Sequence, residues 1–278
     1  MVAAAAAASV VVAGGVYAGT VGLRDRLPRP IGCVVQAAGT VSLGPDQMAN
    51  AATIAAVGAR RQVPEQAVVV ALATAFQESR LHNLAGGDRD SVGLFQQRPS
   101  QGWGTPEQIR DPRYAAERFY SALLKVHGWQ GMRVTEAAQR VQRSAFPEAY
   151  QQWAADSGVL ARALLGNASG AVACTVARIP ALRGAAATTA LTSMVALDWG
   201  AVATPPPDRL TGLALAAVDS QSGWRYAHWL VSHADDNGVK RVRYADLQWT
   251  AGAGTWSKIR DGSPNADQVV AEVFADKK

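Results

Sequence analysis

The segment VPEQAVVVALATAFQES, residues 63–79, decides the fold of this chain. Pro64 suits the first turn of a helix, and across residues 67–76 the only polar side chain is Thr74. A helix that is apolar on nearly every side lies inside a core, so the segment predicts a central helix. Its last turn carries Glu78. Desolvation disfavours the charged form of a carboxyl, and a protonated glutamate in a polar cleft is a competent general acid.

A second motif, GLFQQRP at residues 93–99, follows this helix after a glycine-rich loop. The order Glu78-Ser79 and then Gly93-Leu94-Phe95-Gln96 resembles the lysozyme-like domains of lytic transglycosylases and goose-type lysozymes. The longer run GDRDSVGLFQQRPSQGWG, residues 87–104, is similar to exported cell-wall-lytic proteins of high-GC bacteria. The resemblance covers residues 41–165. It implies a mainly α lysozyme-like catalytic domain.

The resemblance implies cleavage of the β-1,4 bond between muramyl and glucosaminyl residues of peptidoglycan, with Glu78 as general acid and base. Without the second motif, Glu78 would be interpreted as a helix-terminal glutamate paired with its neighbour Arg80. A muramidase would use Asp88 or Asp90 to position a water, although both aspartates also suit capping of a loop. A lytic transglycosylase needs no second carboxylate. Both reactions stay open at this stage.

The resemblance also implies the residues that hold the sugar chain. Ser79 is expected to act as a positioning hydroxyl, and Gly93, Gln96 and Gln97 come from the second motif. The third motif of the family matches poorly at residues 139–150. The corresponding sugar-binding positions there fall on Gln142, Ser144 and Tyr150, with the Tyr150 hydroxyl expected near Glu78.

Charge and composition narrow the partners. The net charge of +5 suits an anionic polymer, but the sequence contains no Lys/Arg block and no recognition-helix pattern, which disfavours nucleic acid. No cysteine or histidine spacing is typical of a metal site, so we expect no metal and no cofactor. The expected partner is the glycan strand of peptidoglycan, bound by a monomer. The alternative is a non-catalytic wall-binding or scaffold protein that keeps the same groove.

The N-terminal residues 1–23 contain no charged side chain and predict a single hydrophobic helix. This helix is either a transmembrane anchor with the domains outside or a signal segment cleaved after Val16-Tyr17-Ala18. Residues 24–40 are expected to be a linker. The protein is therefore predicted to lie at the outer face of the cell membrane or to be secreted.

Only two cysteines, Cys33 and Cys174, are present, and they bracket the lysozyme-like region. An exported chain could join them in a disulfide, whereas the alternative is two free buried thiols. A bridge over so long a loop would stabilise the fold by roughly 4 to 5 kcal/mol on the chain-entropy model.

The amino-acid composition changes in the C-terminal part of the chain. Residues 166–207 are rich in Ala, Gly and Pro and are expected to be largely linker. Residues 208–278 predict a small α+β domain of unknown role. His228 and His233 lie five residues apart, about 140° around a helix, so one is expected to be exposed and one packed.

Overall fold

Two adjacent helices form the centre of the structure. Helix α1 spans Pro45–Arg60 and helix α2 spans Glu65–Ser79. Residues 67–76 of α2 are all buried, so the central helix predicted from its apolar sequence is present. Pro64 precedes α2 in an extended conformation and directs the chain into its first turn. Because the middle of α2 is covered on all sides, its polar residues can meet solvent only near its ends.

The computed structural model describes residues 31–177, 180–201, 203–207, 210–260 and 265–276. The hydrophobic helix expected at residues 1–23 lies outside the described residues. None of the helices in the described ranges has the length and the apolar character that a bilayer crossing requires.

Further helices pack around the central pair. They are α3 (Pro106–Ile109), α4 (Pro112–Leu123), α5 (Val134–Gln142) and α6 (Ala154–Leu164). A single turn of 3-10 helix, Gln151–Trp153, leads into α6. Helix α2 contacts α1, α4, α5 and α6. This arrangement brings the end of α5 and the turn before α6 to the C-terminal end of α2.

The first sheet joins both ends of this helical region. Its antiparallel strands lie in the order β2-β1-β3 and are β1 (Gly32–Gln36), β2 (Thr40–Leu43) and β3 (Val172–Thr175). Cys33 lies opposite Cys174 in the register of β1 and β3, and the two form a disulfide. The predicted bridge is therefore confirmed, and most of the presumed linker at residues 24–40 that the structure describes is strand.

A second, larger sheet forms the C-terminal part. The helices there are α7 (Gly184–Trp199), α8 (Ser220–Ser232) and α9 (Ala234–Asn237). The strands are β4 (Gly212–Ala216), β5 (Val239–Ala245), β6 (Leu247–Thr250), β7 (Trp256–Lys258) and β8 (Asn265–Val273). They pair antiparallel in the order β4-β8-β5-β6-β7.

The expected fold class, a mainly α lysozyme-like domain followed by a separate small α+β domain, is wrong. Over the residues that the structure describes, the chain is a mixed α+β fold, 46% helical, with two antiparallel sheets. Ile31–Lys278 form one compact unit, and one hydrophobic core contains residues of both α1 and α8. The physical reason is that α8 packs against α1 and α6 as well as against the second sheet. The C-terminal elements thus complete a core that the central helices share.

Helix α7 occupies the middle of the predicted linker. The Ala/Gly/Pro-rich composition of residues 166–207 predicts a linker, but the structure places β3 and α7 within it. The inward face of α7 carries a stripe with helical spacing, and its buried members include Ala187, Leu191, Val195 and Asp198. Alanine is the best helix former, so alanine richness is compatible with a docked helix as well as with a linker.

A buried polar cluster fixes α7 to the other helices. We call Thr53, Arg113, Asp198, Trp229 and His233 the junction cluster. Arg113 Nε donates to Asp198 Oδ1, and Trp229 Nε1 donates to Oδ2 at 2.8 Å. The Thr53 hydroxyl lies 3.5 Å from both Asp198 Oδ2 and His233 Nε2. Asp198 is 0% exposed, so its charge is held inside the protein by these partners.

Both C-terminal histidines are buried, which differs from the expectation of one exposed and one packed. His228 Nε2 accepts the backbone N–H of Ala171 at 2.9 Å, so Nδ1 carries the proton and donates to the Ala163 carbonyl at 2.8 Å. Burial lowers the pKa of His228 to about 4. Burial also lowers the pKa of His233, although the charge of Asp198 opposes this. Both imidazoles are therefore neutral packing groups at neutral pH.

Candidate active site

Glu78 lies in the last turn of α2, where the central helix reaches solvent. The helix ends because Arg80 and Leu81 adopt positive φ angles of 55° and 61°. Such angles are unfavourable for residues other than glycine and need support from their surroundings. Side chains of α1 give that support: Gln47 Nε2 donates to the Arg80 carbonyl at 2.7 Å and Asn50 Nδ2 donates to the Leu81 carbonyl at 2.8 Å. The turn after Glu78 is thus held in a strained conformation.

Two donors converge on one oxygen of Glu78. The Tyr150 hydroxyl donates to Glu78 Oε1 at 2.6 Å, and Gln142 Nε2 donates to the same oxygen at 3.2 Å. Gln142 Nε2 also donates to the Phe95 carbonyl at 2.8 Å, and two acceptor partners fix which end of its amide is the nitrogen. No described residue donates to Oε2. The half-buried carboxylate therefore has one saturated oxygen and one open oxygen.

Tyr150 is suited to be a permanent donor to this carboxylate. The residue is 0% exposed. Burial raises the pKa of its hydroxyl strongly, and the charge and hydrogen bond of Glu78 raise it further. The phenol therefore keeps its proton throughout the physiological range. The sequence placed Tyr150 near Glu78 only through a poorly matching motif, and the structure brings the two together.

Ser144 lies in the turn that follows α5. Its backbone N–H and carbonyl both bind the side-chain amide of Gln139, at 3.1 and 2.8 Å. Its hydroxyl accepts the backbone N–H of Phe146 at 3.1 Å. The Ser144 side chain also lowers the pKa of Tyr150, but burial and Glu78 raise that pKa by more. Ser144 thus shapes the turn that carries Tyr150 to Glu78.

Ser79 joins the two sequence motifs. Its buried hydroxyl donates to the Leu94 carbonyl at 2.7 Å and to the Ala75 carbonyl at 3.0 Å. Gly93 has a φ of 79°, and a Cβ there would lie 2.7 Å from the Ile109 carbonyl oxygen, so only glycine fits. The Ser79 hydroxyl, expected to help hold the sugar chain, instead connects the helix to the loop.

The two glutamines of the second motif do not point freely into a cleft. Gln96 uses its amide within its own loop, accepting from the Ser91 hydroxyl at 2.9 Å and donating to the Gly93 carbonyl at 3.1 Å. Gln97 is 2% exposed and donates to the Ala115 carbonyl at 3.2 Å. Contrary to the expectation of two subsite-lining amides, Gln97 faces the core and Gln96 stabilises the loop.

The two aspartates proposed to position a water differ in their surroundings. Asp90 accepts hydrogen bonds from Arg98 Nε at 2.7 Å, from the Ser100 backbone N–H at 2.7 Å and from the Ser100 hydroxyl at 3.0 Å. The Ser100 backbone bond and the Arg98 guanidinium hold the pKa of Asp90 far below its usual range. Asp88 is 93% exposed at its side chain, with Arg89 3.9 Å away. Asp90 therefore acts as a loop anchor.

Sequence reasoning missed the residue that packs against the C-terminal end of α2 beside the site. Trp153 Nε1 donates to Gln77 Oε1 at 2.9 Å, and its ring stacks on Phe76 with centroids 5.1 Å apart. The guanidinium of Arg80 lies over the same ring, 4.2 Å from its centroid, so Arg80 does not serve as the partner of Glu78. No local spacing signals this contact, because Gln77 lies 76 residues before Trp153 in the sequence.

Comparison with known proteins adds no family to this geometry. No family model matches the chain, and no curated protein matches it either. The site therefore has to be interpreted from its own residues.

Proposed function

We propose that this protein cleaves the β-1,4 bond between muramyl and glucosaminyl residues of peptidoglycan, with Glu78 as general acid and base. The observation that carries the proposal is the asymmetry of the carboxylate, with two donors on Oε1 and none from the described residues on Oε2. The likeness of Glu78-Ser79 and residues 93–96 to lytic transglycosylases and goose-type lysozymes supports the choice of substrate.

The asymmetry of the Glu78 carboxylate supports one position for the proton that a general acid must donate. Tyr150 and Gln142 both donate to Oε1, so the acidic proton of neutral Glu78 belongs on Oε2. Oε2 would protonate the glycosidic oxygen as the bond to the leaving sugar breaks. The two donors then stabilise the carboxylate charge that remains. In the second half of the reaction the same oxygen accepts the proton of the attacking hydroxyl.

The surroundings of the aspartates favour attack by the sugar itself. Asp90 is bound to Arg98 and Ser100, and Asp88 extends into solvent, so neither is held in place as a water-positioning base. Attack by a hydroxyl of the muramyl residue needs no second carboxylate. The preferred product is therefore an anhydro-muramyl end, which makes the reaction that of a lytic transglycosylase.

The disulfide supports a location outside the cytoplasm, where this substrate lies. Disulfides such as Cys33–Cys174 form and persist in oxidising compartments and are rare in the cytosol. An exported or membrane-anchored protein is therefore part of the proposal.

The test is product analysis by mass spectrometry after purified peptidoglycan is incubated with the full chain. The comparison variants are Glu78→Gln and Glu65→Gln, which make the same chemical change at opposite ends of α2, about 20 Å apart. Anhydro ends from the wild type and the Glu65 variant, and none from the Glu78 variant, would support the proposal.

Other products would change the conclusion. Reducing ends would identify a muramidase and return Asp88 to consideration as a base. A folded wild-type protein that binds peptidoglycan but releases no product would overturn catalysis in favour of the non-catalytic wall-binding alternative.

A further inference from the structure

A groove with an unusual charge lies beside the candidate active site. It has a volume of about 610 Å³ and runs between α4, α5 and the loop at residues 101–103. Four cationic side chains line it, and no carboxylate is found among its described lining residues. We call it the basic groove, and its cations are Arg118, Lys125, Arg140 and Arg143.

None of the four cations forms an ion pair with a carboxylate in the described part of the chain, although the charge of Arg140 lies near enough to Glu136 to help lower its pKa. The ion pairs found there involve other basic residues, such as Arg61, Arg98 and Arg133. Arg118 donates only to a carbonyl, that of Gly102 at 3.1 Å. Like charges gathered on one surface repel each other, and the walls of a groove focus their field. A bound anion would relieve this repulsion.

The basic groove is linked directly to Glu78. Gln142 lines the groove and donates to Glu78 Oε1 at 3.2 Å. A ligand that contacts Gln142 from the groove is thus one side chain away from the proposed acid. Trp103, half-buried in the groove wall, adds an apolar surface on which a ring or methyl group can pack.

We infer that the basic groove binds oxyanions carried by the wall polymer whose glycan strand reaches Glu78. This inference rests on the proposed function and names the chemistry of its substrate: a strand with free acidic substituents. Guanidinium groups match the two oxygens of a carboxylate or a phosphodiester equally well. Peptide carboxylates on the strand and phosphodiesters of attached polymers are the two sources of such groups.

The test measures binding by co-sedimentation of the full chain with cell-wall material, in a Glu78→Gln background that prevents turnover. The groove variant combines Lys125→Gln with Arg140→Gln. The matched control combines Lys258→Gln with Arg162→Gln, two exposed cations outside the groove, so both variants lose two positive charges. All four substituted side chains are exposed, and thermal unfolding of each variant verifies folding.

Three wall preparations distinguish the source of the oxyanion. The first is peptidoglycan freed of phosphate polymers, the second is the same material with its carboxylates amidated, and the third is amidated material that keeps its phosphate polymers. On the first we expect the groove variant to raise Kd by about tenfold, with little change in the control, and added salt to shrink the difference. A difference only on the third supports the oxyanion site with phosphodiesters as its source.

Equal binding of the two double variants to every preparation would overturn the inference, because the effect would then reflect net charge alone. Binding is measured without turnover, so its result is separate from that of product analysis. If the wild-type protein releases no products but the groove variant binds more weakly than its matched control, the oxyanion site stands and the proposed function fails.

Discussion

Glu78 and Asp198 occupy equivalent places in two helices of one core, yet their surroundings differ. Each is the second-to-last residue of its helix, α2 and α7 respectively. Asp198 is 0% exposed and receives a donor on each oxygen, from Arg113 and Trp229. Glu78 is half-buried, and both its donors reach Oε1. The Asp198 carboxylate has partners on both oxygens and stabilises the fold, whereas Glu78 keeps the open oxygen that the proposed general acid requires.

The largest expected effect is on catalysis. Glu78→Gln should lower the rate of product release by about a thousandfold or more, because an amide cannot donate or accept the required proton. The amide oxygen can still accept the Tyr150 hydroxyl, so the free energy of unfolding should change by only about 1 kcal/mol or less. Activity is measured as initial product release and stability by urea unfolding. A rate close to that of the wild type would contradict a catalytic role for Glu78 and leave it, like Asp198, with a structural role alone.

The matching change at Asp198 should lower stability and leave activity nearly unchanged. Asp198→Asn leaves the Arg113 charge without its partner, which should cost about 3 kcal/mol of unfolding free energy. The activity of the folded fraction should stay near that of the wild type. Asp88→Asn is the control, since that side chain is 93% exposed and should change stability little. A large loss of activity with unchanged stability in Asp198→Asn would reverse the assignment.

His228 sharpens the comparison through pH. Burial lowers the pKa of His228 in the folded protein to about 4. As the pH falls below 6.5, the imidazole is therefore protonated in the unfolded chain while it stays neutral in the folded protein. The contribution of His228 to the free energy of unfolding is fully present above pH 6.5. It is lost as the pH falls towards 4, by up to about 3 kcal/mol. Urea unfolding at pH 7 and pH 5 measures the loss. His228→Gln can still accept the Ala171 N–H, and its stability should depend less on pH than that of the wild type.

The smallest expected effect is at Tyr150. Tyr150→Phe removes one of the two donors to Glu78 and should lower activity by about tenfold. Tyr120→Phe is the matched control, because that buried hydroxyl also makes one hydrogen bond, to the Ile54 carbonyl at 3.0 Å. Both variants should lose a similar amount of stability. Equal activities of the two variants would show that the Tyr150 hydroxyl serves packing alone.

Local sequence patterns predicted the centre of the molecule well. The uninterrupted apolar run of α2 predicted that the helix is buried, and the same segment predicted that Glu78 lies in its last turn. The two cysteines predicted their disulfide because each has only one possible partner in the sequence. These features depend on residues that are close in sequence or on simple pairing.

Features that depend on distant partners were not predictable in the same way. The stripe of Leu191, Val195 and Asp198 has helical spacing, but the many alanines around it hide which face is buried. The position of Gln97 depends on where α4 lies, and nothing local specifies the carbonyl of Ala115 as its acceptor. The predicted division into two domains is wrong for the same reason, because α8 packs against α1 and α6, which are far away in sequence.

The Cys33–Cys174 bridge has a consequence for proteolysis. It closes residues 33–174 into a covalent ring, and Glu78, Gln142 and Tyr150 all lie within that ring. A protease that cuts the exposed loop at residues 86–87 opens the ring once but releases neither piece. The nicked protein stays a single covalent species until the bridge is reduced, so the chain can lose one peptide bond in this loop and still keep Glu78, Gln142 and Tyr150 in one molecule.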